Sequence, residues 1–183
     1  MTAAVAGHQS VFDLLVSKKA DLTLLDDSGN SLLHLACIGS NTAILQHVLS
    51  PSNINTRGQN GRTPVMAAAV AGHQSVFDLL VSKKADLTLV DNHGDSLLHL
   101  ACIGGNTAIV QHVVSPSNIN TRGQNGRTPV MVAACKGHQK VFDLLVSEKA
   151  DLTLLDYHGD SLLHHACIGG NTTMCNMSCY PVT

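Results

Sequence analysis

Eleven histidines and six cysteines among 183 residues are the side chains of this chain with the most chemistry to offer. Imidazoles and thiolates hold zinc or run nucleophilic catalysis, so their mutual spacing decides what they can do. The densest gathering is His164, His165, Cys167, Cys175 and Cys179. A structural zinc site brings two closely spaced ligand pairs, whereas His164 and Cys167 take core-facing positions of a repeated helix, so zinc is not expected. Asp95, Ser96 and His99 supply the residue types of a hydrolytic triad, but this serine opens a helix and commits its hydroxyl to backbone donors. The sequence has no phosphate-binding loop, dinucleotide fingerprint or nucleophile elbow. The expectation is a protein with no catalytic residues, no metal and no cofactor.

Most of these side chains are multiplied by the sequence rather than gathered by it. His8, His73 and His138 stand 65 residues apart, as do Cys37, Cys102 and Cys167 and also Gly29, Gly94 and Gly159. Residues 3–66 differ from 68–131 at seven of 64 positions, and 61–107 from 126–172 at eight of 47, which marks duplication of a 65-residue block. A weaker half-period lies inside it: the run from Gly61 aligns with that from Gly94 at a spacing of 33, and Gly94 with Gly126 at 32.

Each half-block predicts a pair of helices. The first is rich in small residues and opened by Thr63 or Ser96, a turn follows at Gly72 or Gly105, and the second carries Val76, Phe77, Leu80 and Val81 on one face. Pro64 suits a first helical turn, while Pro51 and Pro116 stop the second helix of the even units. The stretch from Leu87 to Gly94 reads as an extended turn into the next unit. The chain thus divides into a half unit 1–28, units 29–60, 61–93, 94–125 and 126–158, a half unit 159–171 and a divergent tail 172–183.

Eleven basic and thirteen acidic residues give a formal charge of -2, which argues against a nucleic-acid partner. With no tryptophan, two tyrosines and three phenylalanines, the core must be built from Leu, Val, Ile and Ala. No apolar run approaches the ~20 residues of a membrane helix, and the first residues lack the basic start of a secretory leader. No membrane partner and a cytoplasmic or nuclear location are therefore expected. The recurring cysteines read as small buried hydrophobes rather than a disulfide framework.

The repeated unit resembles the ankyrin repeat. Odd units keep the Thr63-Pro64, Gly72-His73 and Ala85-Asp86 pieces of that signature and even units keep His99 and Ala101, over residues 3 to about 171. The resemblance implies an all-α solenoid of stacked antiparallel helix pairs with projecting β-hairpin loops. It also implies structural hydrogen bonds from His34, His99 and His164 at helix starts, and non-catalytic recognition of a protein. Met66 and Met131 depart from the signature histidine. Lys19, Lys84 and Lys149 replace a glycine that accepts a left-handed conformation, at a cost on the order of 1 kcal/mol each. His47 and His112 are expected to be partly buried and hydrogen-bonded. The chain starts inside a first helix and the pattern breaks after Thr172, which reads as a segment cut from a longer array.

Differences among the copies fall at Asp27, Asn92 and Tyr157, at Ser28 against His93 and His158, and at Val70-Ala71 against Cys135-Lys136. In the family resembled, these positions line the concave hairpin and first-helix face that contacts partners. The candidate partner-binding residues are Gln59, Asn60, Arg62, Asn92, His93, Asp95, Gln124, Asn125, Arg127, Lys136, Tyr157, His158 and Asp160. Tyr157 and the arginines are the best anchors, because hot spots favour Tyr and Arg. Free drift at exposed positions explains the same differences, since Ser75 against Lys140 and Lys83 against Glu148 lie away from that face. Arg62, Asp95, Arg127 and Asp160 occupy equivalent positions and are expected to form an exposed row of alternating sign. The reading is a protein-interaction module with no small-molecule substrate. Its alternatives are a structural spacer in a longer array, or a regulatory or targeting subunit of a separate enzyme such as a kinase or phosphatase.

Overall fold

A computed structural model describes residues 8–170, which hold ten α-helices and two short 3₁₀ turns. The chain divides into two compact units, Met1–Asn92 and His93–Thr183. The first contains α1 (Gln9–Ser17), α2 (Leu32–Ile38), α3 (Thr42–Val48), the turn Gln59–Gly61, α4 (Pro64–Ala71) and α5 (Gln74–Ser82). The second contains α6 (Leu97–Gly104), α7 (Thr107–Val113), the turn Gln124–Gly126, α8 (Pro129–Lys136), α9 (Gln139–Ser147) and α10 (Leu162–Ile168). The tail 172–183 and the first seven residues of the half unit 1–28 lie outside the described residues.

Helices of seven to nine residues cannot persist alone in water, so caps and packing must hold them. Pro64 and Pro129 sit at the start of α4 and α8, where no helical partner for their nitrogen is lost. The end of α4 turns at Gly72, at φ 72°, and there the His73 N–H donates to the Ala68 carbonyl at 3.1 Å. Asn41 and Asn106 cap α3 and α7, accepting from the backbone N–H groups of Ile44 and Ile109 at 2.9 and 3.2 Å. Lys19, Lys84 and Lys149 take φ values of 58°, 67° and 70°, the left-handed conformation implied for them.

Within the first unit α2 packs on α4 and α3 on α5, α2–α3 and α4–α5 close as pairs, and α1 lies against α3. The second unit repeats this, with α6 and α10 on either side of α8 and α7 against α9. Val65, Met66, Ala67, Ala68 and Ala69 are all buried, and the alanines among them let first helices approach closely. Behind them Phe77, Leu80, Ile44 and Leu45 are fully buried, matched by Phe142, Leu145, Ile109 and Val110 in the second unit. Each large apolar side chain so removed from water stabilises its unit by about 1.5–3 kcal/mol.

The connecting loops are turns closed by aspartates. Asp26 Oδ1 accepts from the N–H groups of Ser28 and Asn30 at 2.9 and 2.8 Å, under an isolated antiparallel bridge between Leu25 and Ser31. Asp156 Oδ1 holds the N–H groups of His158 and Asp160 in the same way. No helix among the described residues is long and apolar enough to cross a membrane.

Candidate functional site

The loops before α4 and α8 fold as the same Gly-Gln-Asn-Gly turn. Gly58 N–H donates to the Arg62 carbonyl at 2.8 Å and Gly61 N–H to the Gly58 carbonyl at 3.0 Å, with Asn60 left-handed at φ 57°. The Gln59 N–H is received by the Asn30 side chain at 2.9 Å, and the Gln124 N–H by Asp95 Oδ1 at 2.8 Å. The next loop then docks on the turn: Asn92 N–H donates to the Asn60 carbonyl at 2.8 Å, and Tyr157 N–H to the Asn125 carbonyl at 2.9 Å.

On this shared scaffold the side chains differ. Tyr157 is 72% exposed, and its ring rests on Gly126, where a β-carbon would collide with it. The Arg122 guanidinium stands 5.8 Å from the ring centroid, within cation–π range. In the first unit Asn92 occupies the corresponding place on Gly61. Below the turns, between first helices, lies a cleft of about 300 Å³ bordered by Ile38, Arg62, Ala67, Val70 and Ala71. Its counterpart in the second unit is about 140 Å³, with the larger Val132 and Lys136 in place of Ala67 and Ala71.

Of the candidate residues, Gln59, Asn60 and Asn92 come together on the turn of the first unit, and Gln124, Asn125 and Tyr157 on that of the second, all exposed. His93, Lys136 and His158 are exposed as well, whereas Arg62, Arg127 and Asp160 are half-buried. Asp95 requires correction: it is only 4% exposed, because its carboxylate accepts the Gln124 N–H inside the loop. The alternating row also requires correction. Arg62 Nε pairs with buried Asp91 at 3.2 Å, and Arg127 Nε stands 3.9 Å from buried Asp156, so both arginines are drawn inward.

The histidines are mostly structural. His34 and His99 bind the cap hydroxyl of their own helix at 2.8 Å through Nδ1 and the carbonyls of Arg62 and Arg127 at 3.0 Å through Nε2. His73 and His138 reach the carbonyls of Ile38 and Ile103 at 3.0 Å. His47 and His112 are exposed rather than partly buried, and His47 packs edge-on against Phe12 at 5.4 Å. His164 and Cys167 face outward, contrary to their expected core positions. Among the described residues no three metal-capable side chains converge. Cys175 and Cys179 lie outside them. Burial pushes the thiols of Cys37 and Cys102 up, so they stay protonated.

Two groups escaped the sequence reading. Arg57 Nη1 donates to the carbonyls of Gly61 and Val90 at 2.7 and 2.8 Å, and Arg122 Nη1 to those of Gly126 and Leu155 at 2.9 and 2.6 Å. They clamp one loop to the next, and their identity in both copies was the available signal. His165, where Leu35 and Leu100 stand in earlier copies, is fully buried with Nε2 3.1 Å from Asp156 Oδ2. Burial, then the Arg127 charge, hold its pKa below the usual histidine value despite Asp156.

A family model described as ankyrin repeats (3 copies) matches residues 1–91 and 98–177. The transient receptor potential cation channel subfamily A member 1 of Homo sapiens is 34% identical over 180 residues, covering 93% of this chain and 16% of that protein. The B-cell lymphoma 3 protein homolog of Mus musculus is 27% identical over 163 residues, covering 83% of this chain and 36% of that protein. A probable palmitoyltransferase, AKR2, of Saccharomyces uvarum is 34% identical over 129 residues, 66% of this chain and 18% of that protein. The chain therefore spans about a third or less of the length of these relatives. Among solved structures, a chain from a complex of a Bdellovibrio bacteriovorus predatory endopeptidase with an immunity protein superposes with a TM-score of 0.77. It is 25% identical, and the match covers 97% of this chain and 94% of that one.

Proposed function

Because the chain belongs to the ankyrin-repeat family, we propose that it recognises a protein partner without catalysis, through the turn tips and first helices of its units. Ankyrin repeats generally mediate protein–protein interaction. The observation that carries the reading is a fixed backbone with exchanged side chains. The docking bond is 2.8 Å at Asn92 and 2.9 Å at Tyr157, yet one tip presents a carboxamide and the other an exposed ring. Tyr157 is the proposed anchor, with Asn125, Gln124, His158 and Lys136 around it and Gln59, Asn60, Asn92 and His93 supplying adaptable polar contacts. A cytoplasmic or nuclear setting suits this role.

Tyr157→Ala combined with Lys136→Glu tests it. Both side chains are exposed, so the thermal midpoint should move little. The set of proteins captured from a cell extract should change. An unchanged set would remove this face from the proposal.

The short span of the relatives, 16% and 36% in two cases, favours a second reading. In it the chain is a spacer or targeting segment of a longer protein whose activity resides elsewhere.

A further inference from the structure

Asn60-Gly61 and Asn125-Gly126 are the two Asn-Gly pairs of the sequence, and both form the tip of the repeated turn. An unhindered glycine after asparagine is the pairing most open to attack of the backbone nitrogen on the side-chain amide, the reaction behind much of asparagine's thermal lability. We propose that these turns are latched modification sites: the closed turn withholds succinimide formation, and a turn that opens converts to isoaspartate and cannot close again. The inference is independent of the partner reading.

The chemistry needs only base and water. The glycine nitrogen loses its proton and bonds to the asparagine Cγ, the Cγ–Nδ2 bond breaks, and Nδ2 leaves as ammonia after taking up a proton. Water then adds across one of the two imide C–N bonds. One product is aspartate. The other is isoaspartate, in which the chain runs through Cβ and Cγ.

The closed turn opposes the first step in two ways. Asn60 sits at ψ 21° and Asn125 at ψ 20°. At that angle the glycine nitrogen points away from Cβ, and ring closure demands a large rotation about the Cα–C bond. That rotation would break the Gly61 N–H bond to the Gly58 carbonyl at 3.0 Å, or the Gly126 bond to Gly123 at 2.9 Å. It would also pull the Asn60 carbonyl from Asn92 and the Gly61 carbonyl from Arg57, with Tyr157 and Arg122 released in the second unit. Both asparagine side chains are exposed, so base and water reach them once the turn lets go. Isoaspartate lengthens the backbone between those anchoring carbonyls, and the docking bonds lose register.

The full chain is incubated in mildly alkaline buffer, folded and in urea, and isoaspartate is mapped at both sites. Conversion in the folded chain should be at least about tenfold slower than in urea, because local opening gates it. Arg57→Ala releases only the first turn, so Asn60 should convert at least about threefold faster in the folded chain while Asn125 is unchanged. Arg122→Ala should do the reverse. Equal rates folded and in urea would overturn the latch, as would an arginine variant that accelerates both sites or neither. Asn60→Gly with Asn125→Gly keeps the positive φ and removes the reaction. Its helix content should persist through an incubation in which the unmodified sequence gains isoaspartate and loses helix, and equal loss would overturn the second half of the proposal.

Discussion

His165 replaces a leucine that fills the core in the earlier copies, and it brings a titratable ring into a fully buried position. Its Nε2–H donates to Asp156 Oδ2, while Nδ1 is buried with no hydrogen-bond partner among the described residues. A second proton would land on that bare nitrogen, so the neutral ring is favoured. Burial and the Arg127 charge act in the same direction, and Asp156 and Asp160 offset the two together only in part. The histidine pKa is therefore lower folded than unfolded, where it lies near about 6.5. The unfolded chain binds more protons in the window below that value, so stability is complete above it and declines as pH falls through it. Asp156 acts in a separate window. Burial raises its pKa, but the N–H groups of Asp160 and His158 and the His165 ring outweigh this and hold it below the carboxylate range, so its contribution disappears only at lower pH. His165→Leu should reduce the slope of the stability profile below about pH 6.5 in urea melts, leaving the slope from buried His34, whose pKa burial also lowers. A slope that survives intact would place the acid sensitivity elsewhere. The same variant frees the Asp156 oxygen that Arg62 reaches on Asp91, and the Arg127 contact of 3.9 Å should shorten toward 3.2 Å.

Secondary elements in this chain end on turns whose backbone is the same in every copy, even where the residue fits it poorly. After α5 the Ala85 N–H returns to the Leu80 carbonyl at 3.0 Å, which requires Lys84 to adopt φ 67°. A β-carbon there costs on the order of 1 kcal/mol, and glycine gives part of that back through its greater freedom when unfolded. Lys84→Gly should therefore raise the denaturant midpoint, with a net gain of about 0.5 kcal/mol. Loss of stability would mean that the exposed lysine stem contributes packing that outweighs the strain. The helix caps were legible from sequence because a Thr-Pro or Ser-Leu start and a Gly-His turn are local features. The arginine clamps were not, since Arg57 reaches a carbonyl 33 residues away and nothing in its neighbourhood announces that.

For the whole molecule, duplication repeats whatever one copy does, including its electrostatics. Arg62→Glu with Arg127→Glu tests whether the inward pairing is general. Each glutamate would face a buried carboxylate, Asp91 or Asp156, so each unit should lose roughly 1–3 kcal/mol of stability, given that the arginines are partly exposed, and the thermal midpoint should fall. An unchanged midpoint would restore the picture of a solvated row. The sequence by itself determined the helix-pair unit, its 65-residue recurrence and the all-α class, because periodicity, caps and turn glycines act over a few residues and repetition displays them several times. It also located the variable tip positions, since the copies serve as their own comparison. Only the tertiary structure decided that Asp95 is buried, that Arg62 turns toward Asp91 and that His165 shares Asp156 with Arg127. Those outcomes depend on which loop lies against which, 29 residues apart for Asp95 with Gln124 and for Arg62 with Asp91 and nine for His165 with Asp156, and charge type and spacing along the chain do not carry that information.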